Sequence, residues 1–256
     1  MDLEPGNAQW IGTRAEQQDA FGFAGFDLPY FQDHGGILVV LADGMGGMRD
    51  GRTASHLAVQ GMLKAYREKQ PDESIPDALM RALAVANRAV YELACASGGE
   101  GSVGTTLVAA AVCAGQLFWV AAGDSRLYLF RAADGSLTEC TRDHTYGNEV
   151  LVQIVVGERS GDTLAEDLNW EALTSFLGLA DVPRVDRNLC PLSLCAGDRL
   201  LLCSDGIHAV LSQVELKRSL MADAQVAADA LISAVKGKAL EDQDNATAAV
   251  LLYNPE

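Results

Sequence analysis

The 256-residue sequence predicts an α+β fold, a central antiparallel β-sandwich flanked by pairs of helices on both faces. Strand-like and helix-like runs come in blocks and do not alternate strictly, which favours α+β layers over a parallel sheet. Apolar residues make up 49% of the chain and charged residues 21%, as in a globular protein. Because no linker, repeat or low-complexity stretch interrupts the chain, we expect one domain over residues 1–256.

Short runs that are apolar or alternating, and that are bounded by Gly, Asp or Asn, predict the strands. They are Phe21–Phe26, Gly36–Ala42, Thr105–Val112, Gln116–Ala122, Leu127–Arg131, Arg199–Cys203 and Ala246–Tyr253. Two of them, Ile37–Ala42 and Arg199–Cys203, are almost entirely apolar, so we expect both faces of these strands to be buried.

Apolar residues at helical spacing predict helices over Thr53–Arg67, Asp77–Ala96 and Ala224–Val235, the last of which Gly237 ends. Ser212–Glu215 has the pattern of a capping box and opens a further short helix. The segment Asp143–Arg187 has weaker periodicity and many polar residues. We interpret it as a surface subdomain or flap, over approximately residues 143–180.

Charge and composition exclude several functions. The 35 Asp and Glu residues against 19 Lys and Arg give a formal net charge of -16 without a basic patch, which argues against nucleic-acid binding. No apolar run is long enough to span a membrane, and the first residues lack a signal-peptide pattern, so we expect a soluble, untargeted, cytoplasmic protein. Six cysteines without a CxxC pair indicate buried free thiols in a reducing compartment. Oligomeric state stays open.

Five aspartates lie at the ends of predicted strands: Asp19, Asp43, Asp124, Asp205 and Asp244. Any one of them alone is most simply a turn former. Several carboxylates at the ends of buried strands would repel each other and are costly to bury. Bound divalent cations are the simplest way to compensate their charge. Oxygen ligands without His or Cys select Mg²⁺ or Mn²⁺ over zinc. The four histidines lack metal-ligand spacing.

Two neighbouring features extend this set. Gly44, Gly46 and Gly47 follow Asp43 and let backbone carbonyls approach a ligand closely, although a plain strand-to-helix turn is the alternative. Arg14 could grip a phosphate in bidentate fashion, whereas composition alone favours a surface salt bridge with Glu16.

Six short motifs in order carry a resemblance to a known family. They are Arg14 with Asp19, Ala42-Asp43-Gly44-Met45-Gly46-Gly47, Gly104-Thr105-Thr106, Gly123-Asp124-Ser125-Arg126, Ser204-Asp205-Gly206 and Asp244-Asn245. From about Gln9 to Tyr253 the chain resembles the metal-dependent protein phosphatase (protein phosphatase 2C) family in its compact bacterial form. The resemblance implies a β-sandwich with helices on both outer faces.

The resemblance also implies roles for single residues. Asp43 matches an aspartate that bridges two metals, with the Gly44 carbonyl as a further ligand, and Asp205 and Asp244 complete the pair. Asp19 matches the residue that holds metal-bound water, and Arg14 matches the phosphate-binding arginine. The remaining aspartate, Asp124, matches the ligand of a weaker third metal, and the flap is implied to shape substrate choice.

The implied activity is hydrolysis of phosphoserine and phosphothreonine in proteins by a bridging hydroxide on two Mg²⁺ or Mn²⁺ ions. The implied partners are phosphorylated proteins, the substrates of a Ser/Thr kinase. Two departures from the family pattern keep an alternative open, a weak or inactive pseudophosphatase that binds phosphoproteins. Gln18 stands where the family usually has Glu, and Ala209 stands where it often has Asp.

Overall fold

A computed structural model describes residues 3–45, 50–159 and 169–255. Its strands are β1 (Leu3–Trp10), β2 (Asp19–Ala24), β3 (Ile37–Met45), β4 (Gly104–Thr105), β5 (Leu107–Cys113), β6 (Gln116–Ala122), β7 (Arg126–Phe130), β8 (Leu137–Glu139), β9 (Asp186–Arg187), β10 (Leu192–Ser193), β11 (Arg199–Cys203) and β12 (Ala246–Tyr253). Its helices are α1 (Pro29–Gln32), α2 (Gly51–Arg67), α3 (Ile75–Ser97), α4 (Tyr146–Val155), α5 (Asp205–His208), α6 (Gln213–Ser219) and α7 (Ala224–Gly237).

The strands form two antiparallel sheets. One has the order β1-β12-β11-β7-β8, and the other has the order β10-β6-β5-β3-β2, with β4 paired to β3 and β9 paired to β6. The core between them consists of alternate residues of the central strands, such as Val39 and Leu41 of β3 against Leu200 and Leu202 of β11. The predicted β-sandwich is confirmed.

The opposite faces of both sheets are covered by helices. Leu38 and Val40 of β3 point away from the sandwich core and belong to the cluster that includes buried residues of α2 and α3. Leu201 of β11 and Val250 of β12 form the corresponding cluster with α6 and α7. Strands β3 and β11 are therefore buried on both sides, as their apolar sequences predict.

Two of the helix starts follow their local sequence. The Ser74 side chain accepts a hydrogen bond from the Asp77 N–H at the start of α3. Ser212 and Glu215 form the predicted capping box at the start of α6.

Other elements differ from the prediction. Strand β1 is not predicted, because Pro5 and Gly6 interrupt its apolar pattern. Helix α4 lies within the segment that was expected only to be a polar flap, and Thr145 caps it. The predicted strand over Thr105–Val112 is divided into β4 and β5.

The expectation of buried thiols is wrong for most of the cysteines. All six are free, but Cys203 alone among them is buried, whereas Cys95, Cys190 and Cys195 are exposed. These three lie in helix or loop surface positions, where an apolar neighbour in sequence does not imply burial. No helix within the described ranges is both long and apolar enough to cross a membrane.

Candidate metal centre

Strand ends from both sheets meet around a cavity of about 790 Å³. The strand register places Asp19 of β2 directly opposite Asp43 of β3. All of the predicted site residues except Asp19 line the cavity, namely Arg14, Asp43, Gly44, Asp124, Asp205 and Asp244. The five aspartates that the sequence scatters over more than two hundred positions are thus collected at one end of the sandwich.

Asp19 lies behind the cavity and is only 1% exposed. Its Oδ2 accepts hydrogen bonds from Ser204 Oγ at 2.8 Å and Thr247 Oγ1 at 2.6 Å. Its Oδ1 is buried without a hydrogen-bond partner among the described residues. Burial raises the pKa of Asp19 from 3.8 to about 6, because the charged carboxylate loses its hydration.

Asp43 occupies the centre of the group. Its N–H donates to Thr106 Oγ1 at 2.9 Å, and its carbonyl accepts from Thr106 N–H and Thr105 Oγ1, both at 2.8 Å. Burial raises the pKa of its carboxyl well above the ordinary value, and the charges of the four other aspartates raise it further, Asp19 and Asp205 most strongly. The backbone of Asp43 is therefore fixed while its carboxyl faces concentrated negative charge.

Asp205 and Asp124 complete the buried part of the site. Asp205 follows β11 and begins α5, and its Oδ1 is also buried without a partner in the described part of the chain. Burial raises its pKa, and the charge of Asp244 adds to the effect. Burial likewise raises the pKa of Asp124, to about 7, with Asp205 and Asp143 as further causes.

Arg14 and Asp244 form the exposed rim of the cavity. Arg14 Nη2 lies 2.8 Å from Asp244 Oδ2, with side chains 51% and 41% exposed. The alternative salt bridge between Arg14 and Glu16 is wrong, because Glu16 Oε1 lies 3.5 Å from Arg52 Nη1 instead. A guanidinium that is held at the rim and still half exposed can bind an anion that enters the cavity.

Gly44 is required by packing as well as by any ligand. Its N–H donates to the Gln18 carbonyl at 3.1 Å, and a Cβ at this position would lie 2.0 Å from the Gly51 carbonyl oxygen. The predicted role of Gly46 and Gly47 lies outside the described residues.

Sequence reasoning missed the residues that hold the aspartates. Ser204 and Thr247 donate to Asp19, and Asn245 accepts the Gln18 N–H at 2.7 Å and donates to the Ile11 carbonyl at 2.8 Å. Ser204 and Asn245 are adjacent to predicted aspartates in sequence, which is a usable signal. Thr247 carries no such signal, because it reaches Asp19 only across the two sheets.

His208 is a further residue that was missed. Its Nε2 lies 3.0 Å from the main-chain oxygen of Asp124, so this nitrogen carries the proton and donates. Burial lowers the pKa of His208 to about 4, and the ring is neutral at pH 7. This neutral donor ties the loop that carries Asp124 to helix α5.

The donor set fits a hard divalent cation. Within residues 3–45, 50–159 and 169–255, no three His, Cys, Asp or Glu side chains are arranged so that they could hold a metal ion. However, the cavity presents carboxylate and carbonyl oxygens, and the buried Oδ1 atoms of Asp19 and Asp205 find no donor in the described part of the chain. Buried acceptors of this kind require a proton or a cation, and an all-oxygen set favours Mg²⁺ or Mn²⁺.

Comparisons with known proteins agree with this geometry. The sequence profile described as Protein phosphatase 2C matches residues 10–241. The chain belongs to the protein phosphatase 2C family. It is similar to the serine/threonine phosphatase stp of Listeria monocytogenes serovar 1/2a, with 30% identity over 227 residues that cover 84% of this chain and 87% of the relative.

Solved structures of this family have the same fold. The serine/threonine phosphatase of S. agalactiae matches with a TM-score of 0.81 and 27% identity, over 98% of this chain and 100% of that one. The catalytic domain of the phosphatase PstP, in complex with two manganese ions, matches with a TM-score of 0.74 and 28% identity, over 99% of each chain. These matches confirm the resemblance and the α+β fold that the sequence predicts.

Both departures from the protein phosphatase 2C pattern lie at the cavity. Gln18 and Ala209 are lining residues, and the Gln18 main chain bonds to Gly44 and Asn245. The amide at position 18 leaves the backbone arrangement around Asp43 in place. The substitutions therefore reduce the number of carboxylates around the cavity without removing the five aspartates.

Proposed function

We propose that this member of the protein phosphatase 2C family is a metal-dependent protein serine/threonine phosphatase. The observation that carries the proposal is that the buried Oδ1 atoms of Asp19 and Asp205 have no hydrogen-bond donor among the described residues, beside a cavity whose rim holds Arg14. Such a site attracts cations at its base and an anion at its rim, which suits a phosphate monoester.

The ligands that we assign to the metal ions are the carboxylates of Asp43, Asp205 and Asp244, the Gly44 carbonyl and, through water, Asp19. When bound, two Mg²⁺ or Mn²⁺ ions would lower the pKa of water and neutralise charge on phosphoryl oxygens. Asp124 would hold a weaker third ion, and Ala209 leaves that site with one carboxylate fewer.

The protein itself positions the substrate. The Arg14 guanidinium, oriented by Asp244 at 2.8 Å, has free donors to bind two phosphoryl oxygens. Thr106 bonds to both main-chain groups of Asp43, so the backbone that carries this carboxyl needs no reorganisation when substrate enters. No protein nucleophile is needed for this chemistry.

Residues of the segment that we assign to the flap line part of the cavity, namely Thr145, Asn148, Trp170 and Leu173. We assign the flap to approximately residues 143–180 of a single catalytic domain that spans residues 1–256, and we assign it a role in substrate choice. Residues 160–168 lie outside the described part.

The partners that we propose are phosphorylated proteins made by a Ser/Thr kinase. The net charge of -16 opposes binding to nucleic acid. Six free cysteines favour a reducing, cytoplasmic compartment. The pseudophosphatase alternative is less well supported, because Arg14, Asp43, Asp205 and Asp244 are all present at one cavity.

The test is hydrolysis of a phosphothreonine peptide with Mn²⁺, before and after chelation by EDTA. We expect turnover that depends on Mn²⁺ and that D43N almost abolishes, while D134N at an exposed turn keeps it. Turnover that survives chelation would sink the proposal. Absence of turnover together with failure to bind two Mn²⁺ in calorimetry would favour the pseudophosphatase.

A further inference from the structure

The outer edge of strand β2 is open. Among the described strands, β2 pairs with β3 and with no other. The Gln18 carbonyl accepts from Gly44 and so points toward β3, whereas Asp19 donates to Gln17 Oε1 at 3.1 Å and accepts from Gln9 Nε2 at 3.3 Å on the outer side. Main-chain groups two residues apart point the same way, so those of Phe21 and Phe23 also point outward. No partner for them is found among the described residues.

The other long edge strand, β1, is blocked. Its Asn7 N–H donates to Gln225 Oε1 at 3.1 Å, and its Asn7 carbonyl accepts from Gln225 Nε2 at 2.9 Å. Pro5 has no N–H to offer. Side chains that bond to outward main-chain groups, and prolines, protect sheet edges from pairing. Among the described residues of β2, only Asp19 has its outward main-chain groups bonded by side chains. The contrast indicates that the open part of β2 is available for pairing.

A groove of about 740 Å³ runs beside this edge. Ile11, Phe21 of β2 and Val59, Gln60 and Leu63 of α2 line it, together with the polar Glu16, Arg52 and His56. Phe21 packs edge to face against Phe23, with ring centroids 6.0 Å apart, which fixes the strand.

The groove adjoins the proposed metal centre. Ala15 and Glu16 line both the groove and the cavity that holds Asp43. Asp19 lines the groove but not the cavity, and Phe21 lies about 7 Å further along β2. A chain that presents a phosphate at the rim would need only a few extended residues to reach the open main-chain groups.

We propose that this groove binds the polypeptide segment that flanks the phosphorylated residue of the substrate, as an added strand along β2. The proposal rests on the proposed function. The main-chain groups of Phe21 and Phe23 supply affinity that is independent of sequence, and the substrate's alternate side chains contact the walls at Val59, Leu63 and Ile11. The substrate would therefore be an extended segment with apolar residues at alternate positions.

The first test removes hydrogen-bond donors from the substrate. A fluorescent phosphothreonine peptide with valines at alternate positions, about five residues on each side, is N-methylated at one amide at a time. Binding is measured by anisotropy in EDTA, without turnover, and KM is measured with Mn²⁺. We expect a two-residue period, in which alternate methylations weaken binding by about threefold to tenfold and the intervening ones have little effect.

The second test fills the groove. Gln60 is an exposed lining residue outside the metal centre, and Gln70 is an exposed glutamine outside both cavities. We expect Q60W to raise KM for the long peptide by about tenfold, while Q70W has no effect. Hydrolysis of p-nitrophenyl phosphate, which is too small to enter the groove, should be unchanged in both variants.

The outcomes separate the two proposals. The protein could hydrolyse p-nitrophenyl phosphate while neither N-methylation nor Q60W changes peptide binding. This result would overturn the proposed role of the groove and leave the phosphatase proposal intact. Failure to hydrolyse either substrate would overturn the phosphatase, and the anisotropy pattern would still decide whether the edge binds an extended peptide. Weakening by every methylation without a two-residue period would also overturn strand addition.

Discussion

Two hydroxyl groups hold the most deeply buried carboxylate of the site. Thr247 Oγ1 lies 2.6 Å and Ser204 Oγ lies 2.8 Å from Asp19 Oδ2. Because these donors favour the charged form of Asp19, we expect T247V to raise its pKa and to weaken Mn²⁺ binding by about 10- to 100-fold, as for other residues that support a metal ligand. Isothermal titration calorimetry measures this directly.

The matched control is T138V, the same substitution on the peripheral strand β8. It should leave Mn²⁺ affinity unchanged. Equal affinity of T247V and the unmodified protein would mean that Asp19 takes no part in holding the metal, and the assignment of this residue would have to be abandoned.

Among single residues, the sequence predicts the charged residues of the site better than the residues that donate hydrogen bonds to them. Asp43, Asp205 and Asp244 could be found because several carboxylates at the ends of apolar strands are anomalous as a set, although each alone is most simply a turn former. Thr247 could not, because a threonine inside a strand is ordinary there. Its function arises only where β12 passes behind Asp19, which is a long-range contact that local patterns do not encode.

Among the elements, helix α6 depends on an ionised cap. Glu215 accepts from Lys238 Nζ at 2.6 Å and from the Ser212 N–H at 2.9 Å. The hydrogen bond from Lys238 and those from Ser212 lower the pKa of Glu215 from 4.5 to about 2. A carboxyl whose pKa is lowered in the folded state stabilises the fold at any pH above its pKa in the unfolded state. This contribution is lost as the pH falls through its pKa in the folded state.

We therefore compare the free energies of unfolding of the protein and of E215Q in urea, from pH 7 downward. Their difference should be constant above about pH 5 and should shrink below it, because the unfolded state then binds the proton first. The exposed Glu241 provides the control E241Q. A difference that grows on acidification would contradict the role assigned to the cap.

Strand β1 packs so closely on α7 that one methyl group is too large. A Cβ on Gly6 would lie 2.2 Å from the main chain of Ala224. We expect G6A to lower the free energy of unfolding by about 1–3 kcal/mol, because backbone must move to accept it. Chemical denaturation measures the change. G237A, where no atom lies within 4 Å, should be neutral or slightly stabilising.

Strand β1 also explains why sequence patterns predicted some elements and not others. Central strands such as β3 and β11 are apolar on both faces and were found. Strand β1 is an edge strand, so Pro5 is tolerated on its outer side, and Gly6 is required by α7. The two residues that make this strand possible in the fold are those that conceal it in the sequence.

For the whole molecule, part of the net charge of -16 is concentrated at the proposed metal centre. Burial raises the pKa of Asp19 from 3.8 to about 6 and that of Asp124 from 3.8 to about 7. At a pH between 3.8 and these raised pKa values, the folded, metal-free protein therefore binds more protons than the unfolded chain. Its free energy of unfolding should fall as pH rises through this window.

Mn²⁺ should reverse this dependence on pH, because it binds the deprotonated carboxylates and only in the folded state. At a free Mn²⁺ concentration of a hundred times Kd, the stabilisation is about 2.7 kcal/mol. Thermal unfolding between pH 5 and pH 8, in EDTA and in Mn²⁺, should give slopes of opposite sign. D124N should flatten the slope in EDTA, and D134N at an exposed turn should not. A metal-free protein that gains stability over this range would contradict the raised pKa values of Asp19 and Asp124, because deprotonation of a group whose pKa is raised in the folded state opposes folding.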